Sequence, residues 1–141
     1  MTNPAQDDRT AICELKARYC RLLDTKQWAA WAELFTPDFV LDTSEAGGPP
    51  PISGRSEAIF MVRQTIETAH TAHQVHTPEI TINGDSATGI WAMQDRVIFE
   101  TGFALTGYGH YTETYARQDG MWRIASSKLT RLLIDMTPPP A

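Results

Sequence analysis

Ile12, Leu15, Tyr19, Leu22 and Leu23 recur at the three- and four-residue spacing of one helix face, with Arg9, Lys16 and Arg21 at polar positions between them. The pattern predicts an amphipathic helix from about Gln6 to Leu23. Asp24 follows directly and stands three residues before Gln27, a spacing suited to capping a second helix that carries Trp28, Trp31, Leu34 and Phe35 on one side. Thr36-Pro37 is expected to end that helix. Asp38 to Asp42 reads as a short strand, Gly47-Gly48-Pro49-Pro50-Pro51 as a loop, and Ser53 as the opening of a third helix. That helix has Ile59, Val62 and Ile66 on one face and reaches about Ala69. From Ala72 onward the pattern changes to alternation, divided by Asn83-Gly84-Asp85 and Asp119-Gly120, which predicts a meander of about four strands.

Helices first and a long antiparallel sheet afterwards make an α+β layout, with the helices covering one face of a curved sheet. The length of 141 residues is that of a single domain, 1–141, with its core at about 8–135 and a Pro-rich tail at 136–141. Hydrophobic residues at 42% and charged residues at 21% are the proportions of a chain that folds without disulfide or metal staples. The net charge of -5 and the scattering of the twelve Lys and Arg argue against a nucleic-acid surface. Apolar stretches fall short of the roughly 18 to 20 residues of a membrane span, and Met1 to Thr10 is polar, so a cytoplasmic protein is expected. Cys13 and Cys20 lie about two helical turns apart, too far to pair, and read as packing residues.

Several residues carry possible chemistry. Tyr19, on the apolar side of the first helix, and Asp24, at its end, both point toward the space between helices and sheet. A core tyrosine and a helix cap are the structural alternatives. His70, His73 and His76 are three apart, but His73 and His76 face opposite ways on a strand and no carboxylate stands beside them, so no metal site is assigned. His73 shares strand parity with Val75, which suits an inward base or a hydrogen-bonded core histidine. Asp95 interrupts the apolar face formed by Trp91, Met93, Val97 and Phe99, and Arg131 lies between Leu129 and Leu133, so an ion pair between the two would satisfy both. His110 and Glu113 sit on opposite faces of one strand, and parity does not decide which is inside. No glycine-rich phosphate loop or serine nucleophile elbow is present.

Taken in order, the Tyr19-to-Asp24 helix end, Trp28 through Leu34-Phe35-Thr36-Pro37-Asp38, His73 through Pro78-Glu79-Ile80, Asn83-Gly84-Asp85-Ser86-Ala87, and Gly107 through Tyr115 with Asp119-Gly120-Met121-Trp122-Arg123-Ile124 resemble the SnoaL-like branch of the nuclear transport factor 2-like superfamily. The likeness spans about residues 8 to 135. It implies a cone, in which a strongly curved sheet wraps one long and two shorter helices around a deep, mostly apolar cavity. In the dehydratase and dehydrochlorinase members a His and an Asp form the base pair; the resemblance carries these onto His73 and Asp24, with Tyr19 at the dehydratase tyrosine and Arg131 near a cationic position of the last strand. It also implies work without metal or organic cofactor, and a homo-oligomer, dimeric or trimeric.

The resulting expectation is a lyase or isomerase that abstracts a proton from carbon, with elimination of water or a double-bond shift, on a small hydrophobic cyclic molecule such as a steroid, terpenoid or polyketide. Trp28, Trp91, Phe99 and Tyr111 are the expected aromatic lining, with Asp95 and His110 as polar pocket residues. The rival is a binding or oligomerisation module of the same fold, in which Asp24 is a cap, His73 a buried hydrogen-bonding residue and Asp95 with Arg131 a structural pair.

Overall fold

The computed structural model describes residues 4–141, so the first three residues of the polar Met1 to Thr10 segment lie outside the described residues. The first helix, α1, spans Pro4–Asp24. Its face of Ile12, Leu15, Tyr19, Leu22 and Leu23 is buried as the spacing requires. Lys16 departs from expectation. It lies on the same face, one turn beyond Ile12, and is fully buried. Burial also pushes the partly buried Cys20 thiol up to about 11, in keeping with a packing role.

The second helix, α2, covers only Trp28–Ala32, and strand β1 begins at Phe35, running Phe35–Asp42. Thr36 and Pro37 therefore sit inside a strand rather than ending a helix. Proline lacks a ladder donor, and β1 meets its neighbour with a register shift between Phe35 and Val40 that spans this segment. A short 3₁₀ turn, Ser44–Ala46, and strand β2, Ile52–Ser53, follow. Ser53 belongs to β2, and helix α3 is Arg55–Ile66, so it ends three residues earlier than its pattern predicts. The remaining strands are β3 (His70–Val75), β4 (Glu79–Asn83), β5 (Ser86–Ile98), β6 (Ala104–Gln118) and β7 (Met121–Thr137). Strand β7 runs two residues into the segment expected as a tail, leaving residues 138–141 outside regular structure.

These seven strands form one curved sheet that does not close, in the order β2-β1-β7-β6-β5-β3, with β4 also paired to β5. Every pairing is antiparallel except β1 with β7. The antiparallel meander is thus joined to β1 by a parallel pairing that the sequence pattern does not announce. The long strands coil because β6 and β7 slip register twice, between Tyr108 and Gly109 and between Thr114 and Tyr115. The first slip inserts Leu132 as an extra residue and turns Leu133 outward, where it is exposed, so Leu133 does not share the inner face with Arg131. Gly109 lets the strands close at this point, since a Cβ there would meet the Thr130 and Arg131 backbone. The concave face is filled by α1, Trp31, Phe35, Phe39 and the inward residues of β5 and β6. Among the described residues no helix is long and apolar enough to cross a membrane.

Candidate active site

A cavity of about 390 Å³ lies between α1, α3 and the concave face of the sheet, and Tyr19, His73, Asp95, Phe99, Tyr111 and Arg131 all contribute to its wall. Strand periodicity accounts for three of them: Asp95 and Tyr111 share the inward parity of Trp91, Met93 and Val97, and His73 that of Val75. His73 is the direct cross-strand partner of Asp95.

Asp24 does not cap α2, whose N-cap is Gln27 without a side-chain bond. Its carboxylate turns to β3 instead. Oδ2 accepts the backbone N–H of His73 at 2.8 Å, while Oδ1 accepts the Thr71 hydroxyl at 2.9 Å and lies 2.7 Å from His73 Nδ1. A carboxylate offers only acceptors, so Nδ1 carries a proton, and in the neutral imidazole Nε2, across the ring, is the acceptor. Burial works to raise the Asp24 carboxyl, but the His73 ring, the His73 backbone N–H and the Thr71 hydroxyl outweigh it and hold the group below the usual aspartate range. A lowered pKa in the folded state means that Asp24 adds stability above the usual carboxyl range and that this is lost as pH falls through the depressed value. The gap in thermal midpoint between wild type and Asp24→Asn is accordingly expected to be widest near neutrality and to narrow steadily below about pH 4; a gap independent of pH would show that Asp24 is not held as a carboxylate.

Tyr19 is buried, with its ring edge-on to Phe35 and Tyr111 at centroid distances of 6.0 and 5.9 Å. Burial, reinforced by the negative charge of Glu113, pushes its phenol well above the ordinary value, and burial does the same for Tyr111. Both remain protonated donors.

Asp95 and Arg131 form a bidentate pair, with Nη1 to Oδ1 at 2.8 Å and Nη2 to Oδ2 at 2.9 Å. Arg131 is therefore not a free cation: its charge is matched by the carboxylate beside His73, and that bond raises its pKa further. The guanidinium reaches Asp95 across β6 only because residue 107 is glycine; a Cβ there would stand 2.5 Å from Asp95 Oδ1 and collide with the Arg131 Nη1. Gly107→Ala is expected to destabilise the fold by about 1–3 kcal/mol, the usual range for overpacking. An unchanged unfolding midpoint would mean that the pair can shift freely.

The remaining pocket expectations divide. Phe99 and Tyr111 line the cavity. Trp28 does not; it packs edge-on against Trp31 at 5.8 Å with Arg63 over its ring. Trp91 is a core residue whose indole N–H donates to Tyr115 at 2.8 Å. His110 is displaced to the outer face, because Tyr111, Glu113 and Tyr115 occupy the inward parity of β6. Glu113 is inside, but in a buried cluster with Lys16 rather than on the cavity wall. His70 and His76 are exposed and stand apart from His73. The sequence pattern did not point to the far wall, built by Leu41, the Thr43-to-Pro49 loop, and Met61, Val62 and Ile66 of α3. The i, i+4 spacing of Val62 and Ile66 was the available signal for α3; a glycine-proline loop carries none.

The fold is an α+β cone with a curved, unclosed sheet, and His73, bonded to Asp24, stands on the wall of its cavity. The SnoaL-like domain model matches residues 4–128, and the chain belongs to that family. Among solved structures, the chain is similar to a protein proposed to be a scytalone dehydratase from Novosphingobium aromaticivorans, with a TM-score of 0.87 at 19% identity over 100% of this chain and 95% of that one. It is similar also to a type 2 hexachlorocyclohexane dehydrochlorinase, LinA, with a TM-score of 0.84 at 17% identity over 95% and 91% of the two chains. A third is an NTF2-like protein with a cystatin-like fold from Novosphingobium aromaticivorans, with a TM-score of 0.76 at 22% identity over 91% and 84%.

Proposed function

We propose that the protein is a cofactor-independent lyase or isomerase in which His73 removes a proton from carbon. The observation that carries this reading is the 2.7 Å contact between His73 Nδ1 and Asp24, which supports Nδ1 as the donor and Nε2 as the base, with His73 on the cavity wall. Asp24, already charged, stabilises the imidazolium as it forms. The protonated Tyr19 hydroxyl donates to the oxygen on which charge develops, an enolate or a departing hydroxide. Removing the proton and expelling the leaving group on the adjacent carbon forms the double bond; returning the proton elsewhere gives isomerisation instead. Arg131 is the fixed half of a neutral pair, so it adds directed N–H groups rather than net charge.

The wall is mainly apolar, with Leu23, Val97, Phe99 and Leu129 beside the few polar groups, and its volume suits one small ring system. That supports a hydrophobic cyclic substrate of the steroid, terpenoid or polyketide type. The names of the scytalone dehydratase and dehydrochlorinase neighbours point the same way. The test is incubation in deuterium oxide with a panel of cyclic β-hydroxyketones and enones, followed by mass spectrometry. The expected result is His73-dependent water loss or deuterium incorporation at carbon; tight binding of the panel with no exchange would favour the binding-module reading.

A further inference from the structure

We propose that Lys26 and Thr71 are positioning residues for the dyad: Lys26 orients the Thr71 hydroxyl, which holds Asp24 as an acceptor and so keeps the His73 proton on Nδ1. The functional meaning of this rests on His73 being the base, whereas the geometry stands without it.

The helix end is the starting point. Lys26 N–H bonds the Leu23 carbonyl and Gln27 N–H bonds the Leu22 carbonyl, the paired bonds of a Schellman motif that places Lys26 at the left-handed position. Its φ is 59°. Glycine is the ordinary occupant there, since any side chain is disfavoured in that conformation. The lysine in glycine's usual place directs its side chain back toward β3. Its Nζ donates to Thr71 Oγ1 at 2.7 Å.

The direction of every bond then follows from chemistry. An ammonium has no lone pair, so the Thr71 oxygen must accept from Lys26 and its own proton must go elsewhere. The available acceptor is Asp24 Oδ1, 2.9 Å away. Asp24 thus receives donors from Thr71 and from the His73 backbone, which fixes its plane and leaves Oδ1 facing Nδ1. The other carboxylate next to His73, Asp95, is occupied by Arg131 and does not compete. Thr71 and His73 share the inward parity of β3, so one strand brings both to the same carboxylate.

The tautomer of His73 reports this arrangement without substrate. In protein carrying 15N-labelled imidazole, at mildly alkaline pH, the ratio of Nδ1–H to Nε2–H forms is read by NMR, with the His73 signals assigned from His73→Asn. Loss of one such hydrogen bond is expected to lower the ratio roughly fivefold in Thr71→Val and in Lys26→Gly, and Thr71→Ser is expected to restore it. The double variant should match Thr71→Val, because Lys26 acts through Thr71. Lys26→Gly is the fold-safe variant, since glycine suits the turn. Wild-type ratios in folded Lys26→Gly and Thr71→Val would overturn the proposal, as would failure of Thr71→Ser to restore the ratio. Absence of turnover on every substrate, with the tautomer shifts present, would remove the catalytic reading and leave this one standing.

Discussion

His73→Ala is expected to lower kcat/KM by about 10²–10⁴-fold on any substrate the protein deprotonates at carbon, the usual worth of a positioned general base. The ring faces the cavity and is bonded to Asp24, so the unfolding midpoint is measured beside the rate to separate loss of the base from loss of fold. Asp24→Asn keeps the shape of the carboxylate but removes its charge and allows the amide to present its NH₂ to Nδ1, which would place the proton on Nε2 and block the base. A loss of roughly 10²-fold or more is expected. Because Asp24 acts through His73, the two effects should not add, and the double variant should be no slower than His73→Ala alone. Steady-state kinetics on the four proteins, with circular dichroism to confirm folding, decides this. A His73→Ala rate within about threefold of wild type would place the base elsewhere.

The largest expected effect on stability lies deeper. Lys16 and Glu113 are both wholly buried, with Nζ to Oε2 at 2.8 Å. The ammonium also sits over the rings of Tyr19 and Tyr111, 3.6 and 3.8 Å from their centroids. Glu113 accepts from Tyr115 at 2.8 Å and from Ser127 at 2.6 Å, and Tyr115 accepts from Trp91 at 2.8 Å. Every polar group in the cluster is thereby matched, which is the condition for burying charge. Lys16→Met leaves the carboxylate in the core without its cation and is expected to cost about 3–5 kcal/mol, as for other broken buried pairs. For a domain of this size that lowers the unfolding midpoint by on the order of 10 °C. Lys16→Met with Glu113→Gln removes both charges, keeps an acceptor for Ser127 and should recover most of the loss. Thermal unfolding of the two singles and the double measures the coupling. A mild Lys16→Met and a worse double variant would show that the aromatic faces, not Glu113, hold the lysine.

The same cluster shows where reading from sequence stops. Lys16 has the spacing of a core residue, since Ile12 and Tyr19 flank it on one face, yet its charge argues for solvent. The contradiction resolves only through Glu113, 97 residues away. His110 and Glu113 pose the related problem of a strand whose alternation is clear but whose facing is not. Register against β5 decides it, pairing Tyr111 with the buried Trp91 and placing His110 outside. Arg131 was legible as a partner for Asp95, but its neighbour Leu133 was misplaced because the inserted Leu132 shifts every later residue to the opposite face.

What the sequence by itself determined is what its periods encode: the α1 face that carries Tyr19 to the cavity, the alternation that turns His73 and Asp95 inward, and an α+β order of elements. Helix and strand periods are properties of neighbouring residues, so they survive without knowledge of the fold. The tertiary structure alone decided that Asp24 holds His73 instead of capping α2, that Arg131 is neutralised by Asp95 across Gly107, that Lys16 is buried, and that α3 and the Thr43-to-Pro49 loop complete the wall. Each of these depends on the register and coiling of strands distant in the chain, and a buried charge or a cavity exists only once such segments have met.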